Sequence, residues 1–191
     1  HDWIVSLDSD ERCTAPARDE MLACLQAPAA DAYYVPRRNF FMGQWIRYSG
    51  YYPDYRQPQL FKKGALVFKD GDPVHEEFRI VSDKPVGYLK EPIWQLPFAE
   101  LSELMRKADR YSSLGAKKLE KNGKRGSMWM AFGHALWAFI HMYILKRGFL
   151  DGWPGFLIAC SSFESTLFKY AKLCERQADW QPPPSPPLHR P

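Results

Sequence analysis

A short apolar run near the start of the chain ends abruptly at two carboxylates. Residues 3–7, Trp-Ile-Val-Ser-Leu, favour a β-strand, and Asp8 and Asp10 follow directly. A buried parallel strand delivers side chains to the carboxyl end of an α/β sheet, where ligands bind. Two carboxylates that face the same way on an extended strand suit a hard divalent cation, Mg²⁺ or Mn²⁺, which also binds a substrate's phosphates. The alternative is an Asp-rich turn in which Asp10 caps the next helix.

The position of this strand at the start of the sequence indicates whether the chain is part of a longer protein. A buried parallel strand needs neighbours, and no segment stands before residues 3–7 in these 191 residues. The first residue is His1 rather than Met. We therefore expect the chain to be the C-terminal part of a longer enzyme.

Composition predicts a globular protein and gives no support for a nucleic-acid partner. Hydrophobic residues make up 46% of the chain and aromatic residues 15%, enough for a core. The net charge of +4 is too small and dispersed to indicate nucleic-acid binding, although eight Lys and Arg residues cluster between 106 and 125. The cysteines lack zinc-site spacing and are expected to be reduced thiols; they are Cys13, Cys24, Cys160 and Cys174.

Apolar patterning and turn-forming residues predict strands in the first half and helices in the second. Thr14 as N-cap and Pro16 in the first turn predict a helix over residues 15–25. Lys62-Lys63-Gly64 predicts the turn of a hairpin, and apolar residues at three- and four-residue steps predict a helix over 98–122. Strands are predicted at residues 32–35, 59–61, 65–68, 78–81 and 86–89.

Residues 127–145 carry no formal charge and are flanked by the basic pairs Lys124-Arg125 and Lys146-Arg147. The run is long enough to span a membrane, but glycine and histidine interrupt it. Its aromatic residues and basic flanks suit a helix lying in the interface of an anionic leaflet. A true span and a buried core or oligomer helix are the alternatives. The candidate membrane-facing residues are Trp129, Phe132, Leu136, Trp137, Ile140 and Tyr143.

Seven stretches follow one another along the chain: Leu7–Glu11, Arg37-Arg38-Asn39, Tyr51-Tyr52-Pro53-Asp54-Tyr55, Val74-His75-Glu76, Arg110-Tyr111-Ser112, Tyr143–Gly152 and Lys169-Tyr170-Ala171-Lys172. As an ordered set they resemble bacterial glycosyltransferase family 2. Within it, the chain is similar to the branch of lipopolysaccharide core β-1,4-glucosyltransferases. The resemblance covers nearly all of the chain before the proline-rich end.

The resemblance implies a fold and a reaction. The fold is α/β, the C-terminal part of a GT-A (nucleotide-diphospho-sugar transferase) domain followed by a helical extension. The reaction is metal-dependent, inverting transfer of a hexose from a nucleotide-sugar donor to a lipid-linked saccharide acceptor, in lipopolysaccharide core or envelope polysaccharide biosynthesis. A peripheral position on the cytoplasmic face of the bacterial inner membrane would bring the enzyme to that acceptor. The rival function is a non-catalytic membrane-associated assembly module that keeps the fold.

The resemblance also implies roles for acidic residues. Inverting transfer needs a carboxylate that takes the proton of the acceptor hydroxyl, and this role falls to Glu76. His75 becomes a further metal or diphosphate contact beside Asp8 and Asp10. The alternative for His75 and Glu76 is an exposed polar turn. Phosphatases of the haloacid dehalogenase type share a strand that ends in Asp-x-Asp, but prefer a small β-branched residue where this chain has Arg12.

Basic and aromatic side chains supply candidate substrate contacts. Guanidinium groups bind phosphate bidentately and aromatic rings can stack on sugar faces, although aromatics in loops commonly pack a small satellite core. The chain departs from the family pattern at Gln59, where Arg is frequent, and at Ile93-Trp94-Gln95, where His is frequent. The candidate substrate-binding residues are Arg37, Arg38, Tyr52, Asp54 and Arg56.

Changes in composition divide the chain into three parts. Residues 1–95 are predicted to be the second part of the catalytic domain. Residues 96–178 are predicted to form the helical, membrane-associated extension. Residues 179–191, mostly proline, are expected to be extended or disordered.

Overall fold

A computed structural model describes residues 2–68 and 78–178 of the chain. Within these ranges the fold is a mixed α/β arrangement in which strands dominate before residue 96 and helices after it. The strands are β1 (Trp3–Val5), β2 (Glu11–Arg12), β3 (Ala32–Tyr34), β4 (Arg37–Phe41), β5 (Gln44–Ile46), β6 (Pro58–Lys62), β7 (Leu66–Phe68), β8 (Phe78–Ile80), β9 (Gly87–Tyr88) and β10 (Ile93–Gln95). The α-helices are α1 (Ala15–Gln26), α2 (Leu101–Lys121), α3 (Met128–Ile140) and α4 (Gly152–Gln177).

The described strands form two four-stranded sheets and a two-stranded ribbon. The first sheet has the order β1-β6-β3-β9, the second has the order β2-β10-β4-β5, and β7 pairs with β8. The pairs β3·β9 and β4·β10 are parallel. Both pairs come from the same two segments, residues 32–41 and 87–95. Pro36 lies between β3 and β4 and has no N–H for a ladder, so the parallel pairing divides there between the two sheets.

The prediction of a buried, parallel first strand is wrong. β1 pairs antiparallel with β6 at the edge of its sheet. Ile4 and Val5 are 40% and 48% exposed. The strand ends at Val5, and the chain turns at residues 8–11, where the Glu11 amide donates to the Asp8 carbonyl at 3.0 Å. Because this segment is a turn, the alternation that would place Asp8 and Asp10 on one side of a strand does not apply.

The predicted hairpin of β6 and β7 is also wrong. The turn itself forms, with the amide of Ala65 donating to the carbonyl of Lys62 at 2.9 Å. However, β6 already has β1 on one edge and β3 on the other, so β7 cannot join it and pairs with β8 instead.

The first helix begins where the sequence predicts, but its buried residues are Ala17 and Met21, while Leu22 is exposed. The Thr14 hydroxyl accepts from the Ala17 amide at 3.2 Å and donates to the Pro92 carbonyl at 2.9 Å, which ties the start of α1 to the segment before β10. Ala17 and Met21 face a core beneath the strands. The other buried members of this core are Ala30, Tyr33, Val35, Leu60, Leu89 and Ile93.

The last three helices pack side by side, with α4 between α2 and α3. α2 buries one stripe, Leu104, Ala108, Ser112 and Ala116, at the four-residue spacing of a helix face. Lys172 of α4 donates to the hydroxyls of two α2 serines at 2.8–2.9 Å, and its charge is paired with the Asp109 carboxylate of α2 at 2.5 Å. α3 continues through one π-helical turn, His141–Leu145, before a short 3₁₀ helix, Gly148–Asp151, leads into α4.

Asp151 connects the helices to the second sheet. Its carboxylate accepts the backbone N–H groups of Arg47 and Tyr48 at 3.0 and 2.9 Å, just after β5. The side chain of Gln44 donates to its carbonyl at 2.7 Å. Burial raises the pKa of Asp151, and the two backbone hydrogen bonds oppose that rise. The strand-rich and helical parts are thus joined at a buried carboxylate, and the boundary at residues 95–96 stays a prediction.

Candidate functional site

The turn that carries Asp8 and Asp10 is held from below by Glu11. This residue is not among the predicted site residues, yet its carboxylate accepts three hydrogen bonds. The donors are the Asp8 amide at 3.0 Å, Arg37 Nε at 2.5 Å and Gln59 Nε2 at 2.8 Å. The side chains of Glu11 and Arg37 are each 1% exposed. A buried, fully engaged carboxylate fixes the backbone of the turn, while Asp8 lies exposed at the surface and Asp10 half-buried.

Arg37 extends this support to the loop before β6. Its Nη1 donates to the Asp54 carbonyl at 3.0 Å. The Asp54 carboxylate in turn binds the guanidinium of Arg56 through two contacts of 3.0 and 2.8 Å. Arg37 is therefore engaged inside the protein, whereas the side chain of Arg56 is half exposed beside the acidic turn. Burial raises the pKa of neighbouring Tyr51 to about 12, so its hydroxyl stays protonated at neutral pH.

An open cavity of about 480 Å³ lies next to Asp10. The Asp10 carbonyl accepts from the Leu96 amide at 3.0 Å, and its carboxylate accepts from Gln95 Nε2 at 3.3 Å. Trp94, the residue before Gln95 in β10, lines the cavity, and the centre of its ring lies 5.0 Å from the centre of the Phe40 ring. The lining is Arg12, Phe40, Phe41, Met42, Gly43, Trp94, Leu96, Phe98 and Ala99. This cavity offers aromatic faces and one cation, Arg12, and it adjoins Asp10 through Leu96, whose amide binds the Asp10 carbonyl.

Arg38 and Tyr52, two further predicted substrate contacts, meet at Trp45 rather than at the acidic turn. The Arg38 guanidinium lies 4.7 Å from the centre of the Trp45 ring, a cation–π contact. Tyr52 packs edge-on against the same ring at 5.2 Å. Alternate residues of β4 point to opposite faces, so Arg37 is buried beneath the turn while Arg38 faces this aromatic group. The predicted substrate residues therefore divide into two groups.

The candidate ligands for a cation at the acidic turn are carboxylates. Among the described residues, no group of three or more His, Cys, Asp and Glu side chains comes together. Mg²⁺ is commonly held by one or two carboxylates, with substrate phosphates and water completing its shell. Asp8 and Asp10 supply two carboxylates, the kind of ligand that this pattern requires. The predicted third contact, His75, and the predicted base, Glu76, lie outside the described residues.

Residues missed by sequence reasoning are those that support the site. Gln59 stands in β6, where its neighbours are apolar and buried, and its own burial is complete. A polar residue in such a strand signals a buried polar partner, but nothing in the sequence identifies that partner as Glu11. At the position where the resembled family often has arginine, this chain has Gln59. Its side-chain amide is buried beneath the acidic turn and is not exposed for binding phosphate.

The predicted membrane-facing residues lie mostly on one open side of α3. Trp129, Phe132, Leu136 and Trp137 are all exposed. Ile140 and Tyr143 are half-buried, and the Tyr143 ring contacts those of three neighbouring phenylalanines. Among the described helices, the stretch Met128–Leu145 is long and apolar enough to cross a membrane, and only 11% of it is buried.

Comparison with known proteins finds similar sequences in Rickettsia. An uncharacterized glycosyltransferase of Rickettsia prowazekii is 23% identical over 184 residues, covering 90% of this chain and 60% of the relative. Uncharacterized glycosyltransferases of Rickettsia felis and Rickettsia bellii are each 24% identical, covering 90% and 95% of this chain. The chain spans 60–65% of the length of these relatives. No family model matches the chain, and no solved structure matches it either.

Proposed function

We propose that this chain belongs to a metal-dependent, inverting glycosyltransferase of the GT-A type. It would move a hexose from a nucleotide-sugar donor to a lipid-linked saccharide acceptor at the cytoplasmic face of the bacterial inner membrane, in lipopolysaccharide core or envelope polysaccharide assembly. The observation that carries the proposal is the acidic turn, which is fixed by the buried Glu11–Arg37 pair and opens beside an aromatic cavity. The names of the Rickettsia relatives support the same class of enzyme.

Asp8 and Asp10 would hold the divalent cation, which neutralises the charge that develops on the leaving diphosphate. The half-exposed guanidinium of Arg56, which Asp54 orients, would bind a phosphate oxygen. Arg37 is given a supporting role, because its guanidinium is buried and engaged by Glu11.

The cavity beside Asp10 is the proposed acceptor pocket. Trp94 and Phe40 present ring faces on which a sugar can stack, and Arg12 supplies a positive charge at the rim. The general base would be Glu76, taking the proton of the acceptor hydroxyl as that oxygen attacks the anomeric carbon and the donor's bond to the diphosphate breaks. Inversion follows because attack and departure take place on opposite faces of the sugar.

The test uses the polypeptide of the complete reading frame, radiolabelled nucleotide-sugars and lipid extracts as acceptors. We expect Asp10→Asn and Glu76→Gln each to lower transfer by about 10²–10⁴-fold, the range for loss of a positioned acid–base group or charge stabiliser. Chelation of divalent metal should abolish transfer, and added Mn²⁺ or Mg²⁺ should restore it. Asp19→Asn is the matched control, since this carboxylate lies on the exposed side of α1.

Two results would contradict the proposal. If transfer continued after chelation, the reaction would not need a divalent cation, and the proposed role of Asp8 and Asp10 would be wrong. Absence of transfer by the unmodified protein with every donor, together with retained partner binding in both variants, would favour the non-catalytic assembly module.

A further inference from the structure

α3 and the start of α4 form a helical hairpin, and we infer that the outer side of this hairpin lies flat on an anionic lipid bilayer. This surface, the docking face, consists of Trp129, Phe132, Leu136 and Trp137 on α3 and of Phe149, Leu150 and Trp153 at the tip that leads into α4. Trp129 is 88% exposed and Trp153 is 76% exposed, and the remaining members are between 43% and 57% exposed. Soluble monomers rarely leave an apolar surface of this extent uncovered, so the face has a partner.

The docking face remains open because α3 is apolar all round and packs on one side only. Ala131 and Ala135 are completely buried and lie on the side that meets α4. Their small side chains bring the two helices close together. Phe132 and Phe139 reach phenylalanine rings of α4 with their edges, while Trp129, Leu136 and Trp137 are exposed. None of the described residues covers the opposite side of the helix.

The charges around the docking face favour an anionic bilayer as its partner. Lys124 and Arg125 precede α3, while Lys146 and Arg147 follow its π-helical end, and all four side chains are exposed. Each such residue near an anionic leaflet is attracted to the negative surface potential of the lipid. Exposed tryptophans occur near both ends of the hairpin, and tryptophan prefers the depth of the lipid headgroups. Basic ends and an aromatic face are the pattern of helices that lie in the membrane interface.

The packing of α4 opposes a transmembrane arrangement. α4 runs alongside α3 and carries Glu164 and Lys169 in its middle turns. On its other side Lys172 binds the carboxylate of Asp109 in α2, a helix with many charges. If α3 crossed the bilayer, its partner helix and these charges would have to enter the hydrocarbon, where charged side chains are strongly disfavoured. Lying flat buries the docking face and leaves α2 in water.

The basic pairs at the two ends of α3 oppose pairing of two copies of the chain through the docking face. Both ends of α3 carry a basic pair, so either a parallel or an antiparallel arrangement of two copies brings basic residues against basic residues. The inference goes beyond the transfer reaction and does not depend on it, because bilayer binding can be measured without donor or acceptor.

The experiment is flotation of the 191-residue chain with phosphatidylcholine vesicles containing one-third phosphatidylglycerol, compared with vesicles of phosphatidylcholine alone. We expect binding to the anionic vesicles, with an affinity at least about tenfold lower for the double variants W129E/W137E and K124E/R125E. The matched controls, L22E/V67E and K63E/K90E, place the same changes on exposed positions away from the docking face and should bind as the unmodified chain does. Circular dichroism checks that each variant folds.

Each other outcome overturns the inference. Equal binding to both kinds of vesicle would show that the docking face does not require anionic lipid. Resistance to carbonate extraction with protease-protected fragments would show a span. Failure to bind vesicles, with a dimer by light scattering that W129E/W137E dissociates, would assign the face to a second copy. Loss of sugar transfer in the catalytic variants affects none of these measurements.

Discussion

At the scale of single residues, the candidate site depends on a buried ion pair beneath the acidic turn. Glu11 and Arg37 lie 26 positions apart and meet where both are shielded from water. Their charges are compensated by each other and by Gln59, the Asp8 amide and the Asp54 carbonyl. Such a pair need not stabilise the fold relative to apolar residues, but removing one partner leaves a buried charge alone. The position of the acidic turn therefore depends on Arg37.

Replacing Arg37 by methionine should lower the free energy of unfolding by about 3–5 kcal/mol, because Glu11 would then be buried without its cation. Urea unfolding followed by tryptophan fluorescence measures the change. Arg18→Met is the matched control: its ion pair with Asp19 is on the surface, and we expect a change within about 0.5 kcal/mol. A loss for Arg37→Met as small as that of the control would show that the Glu11 charge is accommodated without Arg37.

At the scale of elements, the turn between α3 and α4 is shaped by glycines. A Cβ built on Gly155, in the first turn of α4, would lie 2.0 Å from the Gly148 carbonyl oxygen, which belongs to the 3₁₀ helix. Backbone atoms cannot move aside as a flexible side chain would. The close approach also places Asp151, between the two glycines, against the strand-rich part of the molecule.

We expect Gly155→Ala to destabilise the protein by about 1–3 kcal/mol, since the methyl group forces the two helices apart. Gly133→Ala is the matched control within α3, because a Cβ there meets nothing within 4 Å. That change should be neutral or stabilise by about 0.5–1 kcal/mol, the ordinary gain from replacing glycine in a helix. Thermal unfolding of the two variants compares them directly. Equal effects of both substitutions would mean that the Gly148–Gly155 contact is not tightly packed.

The sequence predicts helices better than strand partners. Thr14, Pro16 and the four-residue spacing of apolar residues locate α1 and α2, because helix signals are local. The partners of β6 depend on which edges other segments occupy, and no pattern within residues 58–68 carries that information. The predicted hairpin failed for this reason.

The same distinction applies to the candidate site. Asp8 and Asp10 stand out in the sequence because two carboxylates follow an apolar run. Their support by Glu11, Arg37 and Gln59 joins residues up to 48 positions apart, so only the fold shows it. The roles of Glu76 and His75 stay predictions.

At the scale of the whole molecule, the strand-rich and helical parts share a hydrophobic core. Phe41 and Ile46 from the second sheet pack with Leu104 of α2 and Ile158 of α4. Phe98, on the segment between β10 and α2, meets the Phe41 ring edge-on at 5.5 Å and also lines the cavity beside Asp10. Packing is thus continuous from the proposed acceptor pocket to the helices that carry the docking face.

This shared core predicts that the described parts unfold together. Helix content, followed in the far ultraviolet, and tertiary packing, followed in the near ultraviolet, should be lost in one coincident thermal transition. Phe41→Ala should lower the free energy of unfolding by about 3–5 kcal/mol and shift both signals equally, because the cavity it creates touches strands and helices alike. In contrast, two independent domains would give separate transitions, and Phe41→Ala would move only the one that reports on the sheet. Such a result would mean that the boundary at residues 95–96 separates two folding units and that the contacts of Asp151 and Phe41 form only after each has folded.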